Sequence, residues 1–117
     1  MSAGRAVTKL PDSLTILGRP WRVLYVTPRT IRRHSPAAAD DHGITDGARR
    51  VIYITAADAE DCQWSTLLHE MMHATLREAW DQEAIGIDFR QYEEPLVMLL
   101  EKGLFPALRA TGWGPQE

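Results

Sequence analysis

The sequence is poor in cysteine and in long apolar runs. Cys62 is the single cysteine among 117 residues, which excludes an internal disulfide framework. Residues 1–9 lack the apolar core of a signal peptide or membrane anchor, and no transmembrane run follows. A net charge of −3 and a pI near 5.8 argue against a general nucleic-acid or membrane surface. We therefore expect a cytoplasmic protein with neither a nucleic-acid partner nor a membrane partner.

Several familiar sequence signatures are also missing. The chain has no internal repeat, no low-complexity segment, no Gly-rich phosphate loop and no Ser or Cys nucleophile motif. Its length suits one domain with a single modest core. We expect residues 1–9 to form a flexible tail and residues 10–117 to fold as one domain.

The first half of the chain has the composition of β-strands. Ser13 to Thr27 is rich in β-branched and aromatic residues and predicts two strands around a turn, the second covered on both faces. Gly43 to Thr55 predicts a hairpin with Asp46-Gly47 at its turn. The basic stretch Pro28 to Asp41 predicts a short helical or irregular connection. These segments favour a small antiparallel or mixed sheet of three to four strands.

A helix carrying His69-Glu70-Met71-Met72-His73 follows, and Asp58 is a suitable N-cap for it. Histidines at positions i and i+4 lie about 40° apart on a helix and one turn apart along it, so both imidazoles can reach one metal ion. Glu70 projects about 100° away from His69, which suits a general base and proton shuttle better than a ligand.

The next helical segment, Tyr92 to Leu108, supplies candidate third ligands. Counted from Glu93, an apolar stripe recurs at helical spacing and predicts that Glu93 points inward; its members are Leu96, Val97, Leu100 and Leu104. A carboxylate directed into an apolar interface needs a partner, and a metal held by two histidines is one. We favour Glu93 as the third ligand, with Glu94 as the alternative ligand or as a hydrogen-bond acceptor for a histidine N–H.

Other residues are weaker candidates for a metal ligand or a reactive group. His34 and His42 lack the paired spacing of metal ligands and are more typical of surface groups, and Glu83 and Asp88 lie on no clear inward stripe. Cys62 is more typical of a small packing residue than of a reactive thiol.

These motifs resemble the small zincin-type proteins of phages and bacteria. The resemblance runs from about Gly43 to Trp113 and relates the chain in pattern to ImmA/IrrE-type metallopeptidases and to minimal gluzincins. It is carried by the His-Glu-x-x-His helix and the later glutamate helix, including Thr66, Leu67, Leu68, Ala74, Tyr92, Glu93, Glu94, Val97, Leu100 and Leu104. It implies a minimal zincin-like α+β fold, with the sheet followed by the His-Glu-x-x-His helix and a C-terminal helix bearing the third ligand.

The resemblance also implies an activity. It predicts a Zn²⁺-dependent metallopeptidase in which His69, His73 and Glu93 or Glu94 bind the metal and Glu70 is the catalytic acid/base acting on a peptide or protein substrate. By the same analogy, Val51 to Thr55 is the strand that binds extended substrate, although an ordinary sheet strand explains it equally well. No Tyr or His stands in a familiar position to stabilise an oxyanion. The alternative is a zinc-stabilised, non-catalytic binding module of phage or prophage origin.

Overall fold

The computed structural model describes residues 9–35, 42–82 and 90–112. It contains four strands, three helices and a 3₁₀ turn at Arg90–Tyr92. The elements in chain order are β1 (Ser13–Ile16), β2 (Arg19–Val26), α1 (Pro28–His34), β3 (Gly43–Asp46), β4 (Val51–Thr55), α2 (Glu60–Asp81) and α3 (Glu93–Ala110). The α+β class predicted from the sequence is confirmed.

The strands form one mixed sheet in the order β1-β2-β4-β3. Both predicted hairpins are present, because β1 pairs with β2 and β3 pairs with β4 in antiparallel register. The two hairpins are joined through β2 and β4, which run parallel, with Arg22 opposite Val51 and Val26 opposite Thr55. β4 therefore lies in the interior of the sheet, and all five of its residues are buried.

Helices cover both faces of this sheet. On one face α2 buries Trp64 and Leu67 against Trp21, Val23 and Ile54. On the other face, Ile31 of α1 packs against side chains of β4, of which Val51 and Tyr53 are buried. The prediction that the second strand is covered on both sides is confirmed only in part, because Trp21 and Val23 are buried on one face of β2 whereas Leu24 and Val26 are partly buried and Arg22 is exposed on the other. Among the described residues, no helix combines the length and the apolarity needed to cross a membrane.

Two details differ from the expectations. Ala59 caps α2 without a side-chain hydrogen bond, whereas the predicted cap, Asp58, bonds to His42 instead. Cys62 is exposed in the first turn of α2, so its predicted packing role is wrong.

A buried ion pair fixes the turn between β3 and β4 to the far end of α2. Arg50, which adopts a left-handed φ of 54°, donates from Nε to Oε1 of Glu78 at 2.5 Å. Glu78 is only 2% exposed and also accepts from Gln82. Burial alone would raise the pKa of Glu78, but the hydrogen bonds from Arg50 and Gln82 and the charge of Arg50 outweigh it and hold the pKa below its usual value.

Replacing this carboxylate tests its contribution. A depressed pKa means that the stabilisation is complete above the unfolded-state pKa of about 4.3 and is lost as the pH falls through the lower folded-state value. We expect Glu78→Gln to lower the free energy of unfolding by about 1–3 kcal/mol near neutral pH. The difference from wild type should shrink below about pH 4, as measured by urea denaturation over a pH series.

The control is Glu60→Gln, which makes the same chemical change at an exposed position in the first turn of α2. It should stay within about 0.5 kcal/mol of wild type. A Glu78→Gln deficit that is the same at every pH would contradict the ion-pair assignment.

Candidate metal centre

One face of α2 presents two imidazoles to α3. The rings of His69 and His73 have centroids 5.0 Å apart and are tilted by 59°. His73 is buried and His69 is half-buried. The spacing of four residues within one continuous helix therefore brings both rings to the same place, as the sequence predicted.

Glu94 in the first turn of α3 contacts both rings. Its Oε1 lies 3.3 Å from Nε2 of His69, and its Oε2 lies 2.9 Å from Nε2 of His73. The donor atoms of these three residues all lie within 4.8 Å of one another. Ligand atoms around a tetrahedral zinc ion are about 3.3 Å apart, given bonds of about 2.0–2.1 Å. The donor types and their spacing therefore fit a three-ligand metal site.

The remaining ring nitrogens are held by two further carboxylates of α3. Nδ1 of His69 lies 3.0 Å from Oε2 of Glu101, and Nδ1 of His73 contacts Oε2 of Glu93. An Nδ1–H that donates to a carboxylate fixes the tautomer and leaves the Nε2 lone pair for a metal. Both imidazoles have this arrangement, with their Nε2 atoms on the side of Glu94.

This geometry distinguishes between the two candidate third ligands. Glu94 lies on the side of the Nε2 atoms and its side chain is 58% exposed, whereas Glu93 is 13% exposed and lies behind His73. The sequence pattern favours Glu93, whereas the geometry favours Glu94 as the ligand and Glu93 as the acceptor that orients His73. Glu93 also receives a hydrogen bond from Nε of Arg77 at 3.4 Å.

Glu101 is not among the residues predicted from the sequence. It lies seven residues after Glu94, two turns along the same side of α3, and that spacing was the available signal. The predicted direction of the leucines in α3 is wrong. Leu96, Leu100 and Leu104 are exposed, and the inward face is formed by Val97, Glu101 and Phe105 instead.

The proposed base, Glu70, is buried beneath the sheet. Oγ1 of Thr45 on β3 donates to Oε1 of Glu70 at 2.6 Å. Burial raises the pKa of Glu70 above its usual value, and this outweighs the lowering by the Thr45 hydrogen bond and by His73 and His69. Glu70 is therefore a better proton acceptor than an exposed carboxylate.

A glycine allows β3 to approach α2 this closely. A Cβ atom on Gly43 would lie 2.6 Å from Cγ2 of Thr66, 2.9 Å from the carbonyl oxygen of Tyr53 and 3.2 Å from Cγ of Glu70. Two of these three contacts are with side chains of α2, so any larger residue would push the strand away. Because Gly43 and Thr45 are on the same face of β3, the glycine also determines how near Thr45 comes to Glu70.

The strand that we expected to bind substrate cannot do so. Val51–Thr55 is β4, which is paired with β2 on one side and β3 on the other, so both of its edges are occupied. Among the described strands, β3 is the edge on this side of the sheet. The carbonyl oxygen of His42 accepts from the Thr55 N–H at 2.8 Å. Because antiparallel pairs alternate, the backbone groups of Gly43 and Thr45 point away from β4.

Two cavities adjoin the residues of the candidate metal centre. A cavity of about 250 Å³ is lined by His42, His69, Glu70 and Glu101, among others. A larger cavity of about 770 Å³ reaches Thr45, Arg77 and Glu93. The acidic and basic groups of the site therefore lie between two spaces that are open to small molecules or side chains.

The weaker ligand candidates do not join the cluster. His34 stacks on Tyr53 with ring centroids 4.5 Å apart, and Nδ1 of His42 lies 2.6 Å from Oδ2 of Asp58. Within the described ranges, the group able to hold a metal comprises His69, His73 and Glu94. The candidates Glu83 and Asp88 lie outside the described residues. Trp113, at which the family resemblance ends, lies outside them too.

Compared with protein-family models, curated proteins and solved structures, the chain has no match. The resemblance to zincin-type proteins therefore depends on the His-Glu-x-x-His motif and the glutamate helix.

The ligand assignment can be tested by metal affinity. We expect Glu94→Gln to weaken zinc binding more than Glu93→Gln or Glu101→Gln, because Glu94 faces the Nε2 atoms. Loss of a carboxylate that orients a histidine ligand should cost about 10–100-fold in affinity. Zinc competition with a chromophoric chelator measures all three variants, and Glu60→Gln is the control. A larger loss in Glu93→Gln than in Glu94→Gln would restore Glu93 as the third ligand.

Proposed function

We propose that this chain is a zinc-dependent metallopeptidase. The observation that carries the proposal is the paired orientation of His69 and His73. Each ring has one nitrogen bonded to a carboxylate of α3 and the other directed to Glu94. Such carboxylate–histidine pairs are typical of metal ligands and are an unusual arrangement for two incidental core histidines. Glu70, next to His69, supports a hydrolytic role for the site.

The donor set favours zinc. Two imidazole nitrogens and one carboxylate oxygen are the protein ligands of an open catalytic zinc site, whereas calcium and magnesium prefer an all-oxygen shell. Bound zinc would supply Lewis-acid polarisation of the scissile carbonyl and would acidify water. Glu94 is the most exposed of the three donors, so the site is accessible from solvent on its side.

Glu70 is the residue that we assign to proton transfer. Its carboxylate is 8% exposed and is held by Thr45, so it keeps one position as a substrate arrives. Its place directly after His69 on α2 suits taking a proton from the attacking water and passing it to the leaving amine. Thr45 acts as a positioning residue in this scheme because it works through Glu70.

The outer edge of β3 is the best place for an extended substrate. Gly43 and Thr45 direct backbone groups away from β4, and an added strand would bond to them. The carbonyl of Thr45 already accepts from Nη1 of Arg77 at 2.9 Å. A peptide bound along β3 would either displace the Arg77–Thr45 hydrogen bond or pair with β3 only up to that bond. Arg77 therefore limits how far along β3 the substrate extends.

His42 is suited to stabilise negative charge on the substrate carbonyl. Its Nδ1 is held by Asp58, and it lines the small cavity together with His69, Glu70 and Glu101. A carboxylate that accepts from an Nδ1–H fixes the orientation of the imidazole. The sequence carries no signal for this pair, because His42 and Asp58 are sixteen residues apart and neither belongs to a helix or a strand.

Removing the carboxylate of Glu70 tests the proton-transfer assignment. We expect Glu70→Gln to retain one zinc per chain but to lose at least about 100-fold in hydrolysis rate. The measurement combines elemental analysis with digestion of a proteome-derived peptide mixture read by mass spectrometry. His73→Ala should lose both zinc and cleavage, and Glu60→Gln should keep both.

The outcomes separate the proposed enzyme from its alternatives. Zinc binding without cleavage by wild type would favour the non-catalytic binding module. No zinc, even after it is supplied, would reduce the cluster to a set of hydrogen-bonded pairs. Undiminished cleavage by Glu70→Gln would disprove the mechanism but leave the metal site standing.

A substitution at His42 tests its separate role. We expect His42→Ala to lower kcat about 100-fold because one donor to the developing charge is lost. Zinc affinity should not change, since His42 lies outside the ligand group. Asp58→Asn should lower kcat by a smaller factor. A drop in the zinc affinity of His42→Ala would instead identify His42 as a metal ligand.

A further inference from the structure

The outer side of α3 is apolar and exposed. Leu96, Leu99, Leu100 and Leu104 are 37%, 66%, 43% and 44% exposed. Gly103 and Ala107, also exposed, complete the same stripe. We call this stripe the leucine face; it comprises Leu96, Leu99, Leu100, Gly103, Leu104 and Ala107. Its members recur at intervals of three and four residues, so they form one continuous strip over about three turns.

The leucine face is more apolar than the side of α3 that packs on the domain. The inner side carries Glu93, Glu94 and Glu101, and Val97 is its fully buried aliphatic residue. A helix normally turns its most apolar side toward the protein interior. In α3 the metal-site carboxylates take that side, and the leucines remain on the surface.

Among the described side chains of α3, Glu93 is the charged one nearest to the leucine face, about 50° from its centre, but it is 13% exposed and contacts His73 and Arg77. Lys102 projects more than about 90° from the centre of the face, and Glu101 points to His69. Tyr92, 56% exposed, extends the face by one turn at its N-terminal end. Together the leucines and Tyr92 expose roughly 500 Å², near the upper limit for an apolar patch on a monomer.

We propose that the leucine face is a homodimer interface, in which α3 packs antiparallel against α3 of a second copy. A two-fold axis near Leu100 would place Leu96 of one copy opposite Leu104 of the other and Leu100 against itself. A self-complementary surface must carry no charge near its axis, and this one has none in its described residues. Burial of the two faces would remove about 1,000 Å², which reaches the lower limit of a specific interface.

Gly103 favours close contact between the two helices. A Cβ atom placed on it would meet nothing within 4 Å, so the surface is open at that point. The proposed pair uses the side of α3 opposite to Glu94 and Glu101, and the candidate metal centre would remain accessible in both copies. This proposal does not depend on any catalytic activity.

Sedimentation equilibrium over about 1–100 μM, a range that covers ordinary homodimer affinities, tests the proposal. We expect a mass of twice 13.2 kDa for the wild type. Leu100→Glu should raise the dimer Kd at least about 100-fold, because two carboxylates would meet at the axis. Circular dichroism verifies that the variant keeps its fold, and Lys102→Glu, away from the interface, should stay dimeric.

Cross-linking provides an independent test. In a Cys62→Ser background, Leu100→Cys should form an intermolecular disulfide on mild oxidation, because the two side chains meet at the axis. Lys102→Cys is the matched control and should remain monomeric on a denaturing gel. A wild-type mass of 13.2 kDa at all concentrations would overturn the proposal. A folded Leu100→Glu dimer, or equal cross-linking of both cysteine variants, would equally exclude this interface.

Discussion

The pairing of two imidazoles on α2 with three carboxylates on α3 is the constraint on which the rest of this structure depends. A carboxylate that is buried without a partner costs several kcal/mol, and Glu93 is only 13% exposed. Here Glu93, Glu94 and Glu101 each contact a histidine ring, and these contacts fix the rotation of α3 about its own axis. With Glu70 nearby, the cluster has more acidic groups than basic ones. A divalent cation would relieve that imbalance more effectively than any hydrogen bond within it.

Patterns local in sequence were sufficient to predict the main elements. Alternating β-branched and aromatic residues mark the strands, and the two short turns mark the hairpins. The spacing of His69 and His73 places both rings together wherever that helix packs. What the sequence could not show is how the two hairpins meet. The parallel pairing of β2 with β4 joins segments far apart in the chain, and it alone moves β4 to the interior of the sheet.

The errors in the predicted site have a common cause. The apolar stripe of α3 predicts a side that faces the core, because that is the usual arrangement. Three polar contacts with α2 instead turned Glu101 inward and the leucines outward. Asp58 was similarly predicted as a helix cap from its position, but an interaction with distant His42 replaced the local one. In each case a tertiary contact outweighed a local preference that was correct on average.

Four of the groups that would act on a substrate lie on a single element. His69, Glu70, His73 and Arg77 belong to one uninterrupted helix, and Ala74 beneath them is fully buried against the sheet. A helix of this length moves nearly as a rigid body, so a change in side-chain volume at Ala74 would displace all four groups together relative to Thr45. Reactivity could therefore be retuned during evolution, or by engineering, through repacking of the apolar layer while every polar residue is retained.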